Sequence, residues 1–458
     1  MSGLEASTEK MRHEGVGDAA IQAFADAYER LQRGETGVLP ESDLEAVEEV
    51  PDAEELPDTD AKAFIDRAVV IKLNGGLGTS MGMTGPKSLV EVKDGLTFLD
   101  IIVRQVLSLR ERTRARLPLV LMNSFSTRDA SLEALERHPE IRADVPLDFV
   151  QNKVPKLLAN GLEPVEWPDD PDLEWAPPGH GDLYTALVTS GMLDELLEHG
   201  YRYAFVSNAD NLGAVLEPRI LAWFASEEVP FAMEVADRTE ADRKGGHVAL
   251  RRDGGGLVLR EIAQTPDEDV DAFQDTRRHR FFNTNTLWFD LEALRSLLDE
   301  RDGVLGLPMI VNRKTVDPSD KSSPEVIQLE TAMGAAIDVF DGARALRVPR
   351  TRFAPVKTTN DLLALRSDAY VLRDDARVEP AEGREGPPIV DLDDDYYKLL
   401  PDFEARFRSG PPSLVACERL EVEGDVRFGA GVVVRGSVTV EHRGEGQLEI
   451  EDGTVLEG

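Results

Sequence analysis

Short apolar runs rich in β-branched residues alternate with amphipathic helical stretches, and this alternation constrains the fold of the chain more than any other feature. The helical stretches include Leu99–Leu109 and Leu183–Leu197. Strands that alternate with helices predict a mixed, mostly parallel α/β sheet with helices on both faces. The apolar runs are Ala68–Leu73, Leu117–Met122, Leu147–Val150, Tyr203–Val206, Phe231–Val235 and Leu287–Phe289.

Changes in composition divide the chain into four segments. Residues 1–60 combine apolar residues at helical spacing with an acidic stretch, which predicts a helical arm followed by a linker. The main α/β domain is predicted over residues 61–375, and an acidic, proline-rich linker over 376–412. The tail at 413–458 shows short alternating strands with Gly or Asp turns, which is typical of a small β-solenoid. An ordinary β-meander is the alternative for this tail.

The charge of the chain argues against one class of partner. There are 87 acidic side chains against 51 basic ones, a formal net charge of −36. A nucleic-acid polymer attracts basic surfaces, so we expect no such partner. A small phosphorylated ligand is not excluded, since it needs only a few local donors.

Other sequence features limit the cellular context. No apolar run approaches the ~20 residues of a membrane span, and the N-terminus shows no signal-peptide pattern. Cys417 is the single cysteine, which excludes an intrachain disulfide and a multi-cysteine zinc site. We therefore expect a cytoplasmic protein without membrane association.

A glycine-rich segment directly follows the first predicted strand. It reads LNGGLGTSMGMTGPKS over residues 73–88. Glycines at a strand end allow the backbone to approach a phosphate, and Lys87 supplies a mobile positive charge. The dinucleotide pattern G-x-G-x-x-G fails because Met81 stands at its third glycine, and the P-loop pattern fails because Pro86 precedes the lysine. The segment predicts a phosphorylated ligand that neither template describes.

This segment resembles the signature of the eukaryotic-type UTP–glucose-1-phosphate uridylyltransferases. Seven further blocks match that family in order, and together they cover about residues 65–370. They begin at Gln151 (QNKVPK), Pro177 (PPGHGD), Asn208 (NADNLG), Ala241 (ADRKGG), Phe282 (FNTN), Val326 (VIQLETAMG) and Val356 (VKTTNDLL).

The resemblance implies a Rossmann-like, GT-A-like nucleotidyltransferase fold and a defined reaction. That reaction joins UTP and α-D-glucose 1-phosphate, gives UDP-glucose and pyrophosphate, and uses Mg²⁺. The sugar phosphate attacks the α-phosphorus of UTP directly, so catalysis depends on positioning and charge neutralisation. Related pyrophosphorylases act on other sugars or on N-acetylhexosamine 1-phosphate, but they carry Thr-Arg in the glycine loop where this chain has Thr79-Ser80. A nucleotide-sugar-binding scaffold without turnover is the alternative from another class.

Residues for the nucleotide lie in the first four blocks, except Lys357, which lies in the last one. The family match implies that Leu73, Asn74, Gly75 and Gly76 hold nucleotide and phosphate, and that Gln151, Gly179 and Asn208 position the uridine. Lys87 and Lys357 are the predicted catalytic charges on the phosphates. Asp210 ends the Tyr203–Val206 run in a turn, where a lone carboxylate suits Mg²⁺. An ordinary turn or cap residue is the alternative for Asp210, and a surface polar residue is the alternative for Gln151.

Residues for the sugar are spread over the first, third, fifth and sixth blocks. His180, between two glycines, can hydrogen-bond a sugar or a phosphate, and Asp182 is predicted to cap the following helix. Asn283 and Asn285 present amides suited to sugar hydroxyls. Gly75 and Gly76 are expected to contact the sugar phosphate as well, and Gly246 to lie close to the sugar.

The tail contains none of these blocks. We expect it to mediate self-association through its exposed strand edge, so that the protein is a homo-oligomer. On this interpretation, removing residues 411–458 leaves a folded and active protein.

Overall fold

The computed structural model describes residues 2–384 and 386–458. Its helices are short to medium in length and are distributed along the whole chain. They are α1 Gly3–His13, α2 Asp18–Gln32, α3 Lys62–Ile65, α4 Phe98–Thr113, α5 Arg128–Leu135, α6 Leu183–Thr189, α7 Met192–Glu198, α8 Pro218–Ser226, α9 Val270–Gln274, α10 Leu291–Glu300, α11 Thr359–Arg366, α12 Asp394–Tyr397 and α13 Leu400–Arg406.

The strands fall into a large central sheet and several small ones. In chain order they are β1 Leu44–Ala46, β2 Ala68–Asn74, β3 Glu91–Lys93, β4 Leu96–Thr97, β5 Leu119–Asn123, β6 Asp148–Val150, β7 Val154–Pro155, β8 Leu157–Leu158, β9 Trp175–Ala176, β10 Tyr203–Asn208, β11 Phe231–Asp237, β12 His247–Arg251, β13 Leu257–Arg260, β14 Phe281–Asp290, β15 Met309–Thr315, β16 Glu325–Thr331, β17 Arg344–Arg347, β18 Tyr370–Leu372, β19 Val378–Pro380, β20 Ile389–Leu392, β21 Ser413–Glu423, β22 Val426–Phe428, β23 Val433–Glu441, β24 Leu448–Ile450 and β25 Val455–Glu457.

The central sheet is mixed, as predicted, but it is not mostly parallel, because antiparallel strand pairs outnumber the parallel ones. Its strand order is β1-β12-β14-β10-β2-β5-β6, with β11 beside β14, β17 beside β11 and β13 beside β12. Strands β10, β2, β5 and β6 are parallel to one another, whereas β14 runs antiparallel to β10. The carboxyl ends of the four parallel strands therefore meet at one edge of the sheet.

Helices cover both faces of this sheet. Alternate residues of β2 point to opposite faces: Val70 joins the apolar cluster under α4, whereas Val69 and Ile71 join the cluster under α6 and α7. The nearly continuous apolar run of β2 follows from burial on both faces. The mixed α/β class predicted from the sequence is confirmed.

Two helices illustrate what the sequence predicts and what it misses. At the start of α4, Thr97 Oγ1 accepts from the Asp100 N–H at 3.1 Å and Asp100 Oδ2 accepts from the Thr97 N–H at 3.0 Å, a capping box. The helical stretch expected over Leu183–Leu197 is helical but interrupted. It divides into α6 and α7 at Gly191, whose φ of 76° lies in the left-handed region that ends helices.

The N-terminal segment is integrated into the fold. Helix α2 occupies the region where the apolar spacing predicted a helix, and Phe24 and Tyr28 pack against Ile327 of β16. Strand β1 then pairs with β12 at the edge of the central sheet. Glu41, just before β1, accepts from the buried guanidinium of Arg260.

The tail strands run parallel to one another. Strands β20, β21, β23 and β25 form one parallel sheet, and β22 and β24 form another. A meander is antiparallel, so this alternative is excluded for these strands. The complete β-solenoid stays a prediction. The segment 376–412, predicted as a linker, contains β19, β20, α12 and α13.

None of the helices in the described ranges has both the length and the apolar character that crossing a membrane requires.

Candidate active site

A cavity of about 330 Å³ opens at the carboxyl ends of β2, β5, β6 and β10. Ligands of α/β sheets bind at this edge. The cavity brings together nearly all of the nucleotide residues predicted from the sequence, together with His180. Its lining is Leu73, Asn74, Gly75, Gly76, Lys87, Ser88, Met122, Gln151, Pro177, Gly179, His180, Asn208, Ala209 and Asp210.

The glycine loop is shaped by close contacts within this cavity. A Cβ atom on Gly75 would lie 3.0 Å from Gln151 Oε1, so glycine permits the Gln151 side chain to reach the loop. Gly179 has a φ of 79°, and a Cβ atom there would lie 2.4 Å from the Thr331 carbonyl oxygen. Gly179 is therefore required by geometry, whereas a side chain at Gly75 would displace the flexible Gln151 amide.

Gln151 is held by the loop that follows β6. Its N–H donates to the Asn123 carbonyl at 2.8 Å. The next residue, Asn152, donates its N–H and its side-chain amide to the buried Asp182 carboxylate, at 2.6 and 2.9 Å. Asp182 occupies the N-cap position of α6, as predicted, but its side chain makes no capping bond to the helix. It joins two loops of the cavity instead, and its burial raises the pKa to about 7.

Lys87 and Asp210 form an ion pair at the centre of the cavity. Lys87 Nζ lies 2.6 Å from Asp210 Oδ2. Asp210 Oδ1 is buried and has no hydrogen-bond partner within the described parts of the chain. An unpartnered carboxylate oxygen beside a lysine fits a divalent cation or a donor from a ligand, because a buried acceptor without a partner is costly.

Asp210 would be a solitary protein ligand for such an ion. In residues 2–384 and 386–458 there is no cluster of three or more His, Cys, Asp or Glu side chains arranged to bind a metal. Mg²⁺ commonly takes one or two carboxylates and completes its shell with phosphates and water. The single carboxylate of Asp210 therefore fits Mg²⁺ when a polyphosphate supplies the further oxygen ligands.

Lys357 lies outside the lining of this cavity but is connected to it. The side chain is exposed, and the residue borders a second cavity. The neighbouring Val356 N–H donates to the Asp210 carbonyl oxygen at 3.2 Å. The Lys357 N–H donates to Asp361 Oδ2 at 2.7 Å, at the start of α11. The backbone thus ties Lys357 to the Asp210 turn.

His180 has a defined protonation state. The Met333 N–H donates to His180 Nδ1 at 3.0 Å, which leaves the ring proton on Nε2. The residue lines the cavity and is exposed to it. Desolvation by the surrounding protein lowers the pKa of His180 below its usual value. The residue is therefore a neutral hydrogen-bond donor at physiological pH.

Asn283 and Asn285 lie next to the His180 region. A β-bulge interrupts the pairing of β14 with β11, and there Asn285 adopts a φ of 55°. Asparagine tolerates this left-handed conformation, and bulges re-aim side chains near active sites. Asn283 Nδ2 donates to Asn285 Oδ1 at 2.9 Å. Asn283 Nδ2 also lies 3.0 Å from the Cβ position of Gly334, which follows Met333.

Glu261 is a residue that the sequence interpretation missed. The Asn283 N–H donates to the Gly246 carbonyl at 2.8 Å, and a Cβ atom on Gly246 would lie 2.5 Å from the Glu261 carboxyl group. Burial raises the pKa of Glu261 to about 7. Its position directly after a strand, within the span of the family blocks, was the available signal.

The parallel strands, the glycine loop and the lysine–carboxylate pair define a nucleotide-binding α/β protein. A family model described as UTP–glucose-1-phosphate uridylyltransferase matches residues 21–435. The chain belongs to this family, which confirms the resemblance seen in the sequence.

Individual relatives agree with this assignment. The Hordeum vulgare UTP–glucose-1-phosphate uridylyltransferase is 44% identical over 408 residues, which cover 87% of this chain and 83% of the relative. A mutant of the Leishmania major UDP-glucose pyrophosphorylase, solved in complex with UDP-glucose, superposes with a TM-score of 0.94 at 47% identity, covering 100% of this chain and 98% of that one. The Trypanosoma brucei UDP-glucose phosphorylase structure gives a TM-score of 0.91 at 47% identity, covering 99% and 98%.

Proposed function

We propose that this protein catalyses Mg²⁺-dependent uridylyl transfer from UTP to α-D-glucose 1-phosphate, giving UDP-glucose and pyrophosphate. The observation that carries the proposal is the cavity itself. It places the glycine loop, Gln151 and the Lys87–Asp210 pair within one space at the carboxyl ends of the parallel strands. Family membership supports the same reaction.

The reaction proceeds by one in-line displacement. An oxygen of the sugar phosphate forms a bond to the α-phosphorus of UTP, and the bond from that phosphorus to pyrophosphate breaks. The bonding electron pair leaves with the pyrophosphate, so no covalent protein intermediate forms. The attacking oxygen is already anionic, and no strong base is needed. The contribution of the protein is positioning and electrostatic stabilisation.

The chain supplies positive charge from two directions. Lys87 lies inside the cavity, and Lys357 is tied to the Asp210 turn through Val356. Both ammonium groups stabilise the charge that develops on the phosphates. Asp210 would hold Mg²⁺ through the oxygen that has no partner in the described parts of the chain. When bound, the ion neutralises charge on the phosphate oxygens.

Each substrate has its own set of contacts. Gln151 presents an amide that can both donate to and accept from a uracil edge, and Leu73–Gly76, Gly179 and Asn208 line the space for the nucleotide. His180, Asn283, Asn285 and Glu261 contact the glucose phosphate or the sugar hydroxyls.

Measuring pyrophosphate release tests this function directly. Full-length protein is incubated with UTP, Mg²⁺ and a panel of sugar 1-phosphates, and we expect the highest turnover with glucose 1-phosphate. Higher turnover with N-acetylhexosamine 1-phosphate would assign the protein to a related pyrophosphorylase. Tight binding of UDP-glucose without any turnover would show a scaffold instead of an enzyme.

Substituting Gln151→Ala should raise the KM for UTP more than it lowers kcat. Losing a base contact leaves a buried uracil edge unpaired, which costs about 1–3 kcal/mol, roughly a 5- to 150-fold rise in KM. Initial rates at varied UTP measure this effect. Gln447→Ala in the tail removes an amide remote from the cavity and is the matched control. An unchanged KM for UTP would place the uracil contact elsewhere.

Substituting Glu261→Gln should raise the KM for glucose 1-phosphate by about tenfold and change the KM for UTP little. The amide retains the shape of the side chain but loses one acceptor for a sugar hydroxyl, a contact of about 1.5 kcal/mol. Because the pKa of Glu261 is raised to about 7, the wild-type KM should fall as pH rises through that value and the carboxylate forms. Glu198→Gln, at an exposed position of α7, is the control. If the KM for glucose 1-phosphate differs between the variant and the wild type by the same factor at every pH, the proposed carboxylate contact is contradicted.

We further propose that the tail coils as a β-solenoid and mediates self-association. Strand β25 is at the edge of its parallel sheet, and Val455 there is 48% exposed. An unpaired strand edge with apolar exposure favours pairing with a second copy. The mass of the full-length protein in solution tests this, and a monomer at all concentrations would contradict it.

A further inference from the structure

A fully buried lysine lies beneath the active-site turn. Lys72, near the end of β2, is 2% exposed. Its Nζ donates to Ser207 Oγ at 2.6 Å and to the Ala214 carbonyl at 2.8 Å. Ser207 and Ala214 flank the turn 208–213, which carries Asp210. One ammonium group therefore ties together both ends of this turn.

Burial at this position destabilises the charged form of the Lys72 side chain. Burial lowers the pKa of Lys72 to about 7. Arg352 also opposes its charge, whereas Glu234 and Asp210 favour it. Neither carboxylate contacts Lys72 through a hydrogen bond within the parts of the chain that the structure describes. An apolar side chain would cost less to bury here, so the physical contribution of Lys72 is to fix the geometry of the turn.

A second buried group anchors the neighbouring loop. Glu234, on β11, is fully buried and accepts from Arg352 Nε at 2.8 Å and Nη2 at 2.6 Å. It also accepts from Trp288 Nε1 at 2.9 Å. This bidentate pair holds the loop that leads to Lys357.

Hydrogen bonds join that loop to the turn. Asn211 Nδ2 donates to the Arg352 carbonyl at 3.1 Å, and Asn211 Oδ1 accepts from the Ala354 N–H at 3.0 Å. With the bond from Val356 to Asp210 described above, the two segments form one unit. Displacement of the turn would therefore move Asp210 and the backbone next to Lys357 together.

We propose that Lys72 is a positioning residue for uridylyl transfer, which holds the turn 208–213 so that Asp210 and Lys357 act on the same phosphate chain. The proposal rests on the proposed function and deepens it. Lys72 lies below the turn and contacts no substrate. Its removal should therefore reduce kcat and the response to Mg²⁺, with smaller effects on either KM.

The test compares three variants of the full-length protein. Lys72→Met retains most of the volume and removes both tethers, and Ser207→Ala removes one tether with a small change in volume. Lys93→Met is the matched control, because Lys93 is another buried lysine that donates to backbone carbonyls, those of Arg366 and Ser367, outside the cavity. Thermal unfolding, initial rates, and UTP binding with and without Mg²⁺ are measured for each.

We expect Lys72→Met to lower kcat by about 10- to 100-fold, the usual effect of removing a group that orients a ligand residue. Each KM should change by less than about threefold, which corresponds to less than 1 kcal/mol, because Lys72 contacts neither substrate. The gain in UTP affinity on adding Mg²⁺ should shrink. Ser207→Ala should show a smaller loss of the same kind. Lys93→Met should lower the melting temperature but keep kcat and the Mg²⁺ response.

Two results would overturn the proposal. The first is a folded Lys72→Met protein with wild-type kcat and Mg²⁺ response. The second is equal loss in Lys72→Met and Lys93→Met. If Lys72→Met does not fold, an unchanged Mg²⁺ response in Ser207→Ala overturns it as well. If the wild-type protein binds UTP but forms no UDP-glucose, the proposed function is contradicted instead. The comparison of UTP binding with and without Mg²⁺ between Lys72→Met and the wild type then still tests the role of Lys72.

Discussion

Asp210→Asn is expected to lower kcat by about 100- to 1000-fold while the protein remains folded, the scale seen when one electrostatic group of an active site is removed. The amide has nearly the same shape but no charge. It cannot match the affinity of a carboxylate for Mg²⁺, and it no longer neutralises Lys87, which lies 2.6 Å away. Initial rates across a Mg²⁺ titration measure the effect.

A matched control separates this effect from general surface charge. Asp194→Asn removes an exposed carboxylate that pairs with Arg295 on the protein surface, and it should leave the rate unchanged. Near-normal turnover of Asp210→Asn at limiting Mg²⁺ would remove Asp210 from the proposed metal site.

Removing residues 411–458 is expected to destabilise the protein severely, contrary to the expectation from sequence. The tail packs on helices α12 and α13: Phe407 stacks on Phe428 with ring centroids 5.1 Å apart, and the Tyr397 hydroxyl donates to the Val426 carbonyl. The truncation would expose Tyr397, Phe403 and Phe407, which are buried in the intact chain. Each such side chain contributes about 1.5–3 kcal/mol, a large part of a typical stability of about 5–15 kcal/mol.

Circular dichroism during heating and size-exclusion chromatography measure this outcome. A shorter truncation that removes only residues 454–458 takes away the edge strand β25 and should leave a folded, active protein. A 1–410 protein with the wild-type melting temperature would show that the tail is an independent domain.

The sequence predicted the parts of the structure that depend on local pattern. The apolar runs Ala68–Leu73 and Tyr203–Val206 became neighbouring parallel strands, β2 and β10. Because parallel strands end at the same edge, the glycine loop after one and Asp210 after the other had to lie close together. The family resemblance identified the remaining candidate residues, and most of them line the cavity.

Features that depend on contacts distant in sequence were not predictable. Asp182 looked like a helix cap, but its partner is Asn152, thirty residues away. Glu261 was missed because only the folded chain brings it to Gly246. The tail looked independent because the aromatic side chains of α12 and α13 gave no sign of packing against its strands.

The pairing of β1 with β12 has a consequence for synthesis of the chain. Ala46 pairs with Ala249, a separation of 203 residues. At about 5–20 residues per second, the ribosome needs roughly 10–40 s to produce the partner strand. Throughout that time β1 is an unpaired strand within an acidic run over 41–55. Like charges on such segments repel one another, so the acidic run limits pairing between nascent chains before the sheet closes.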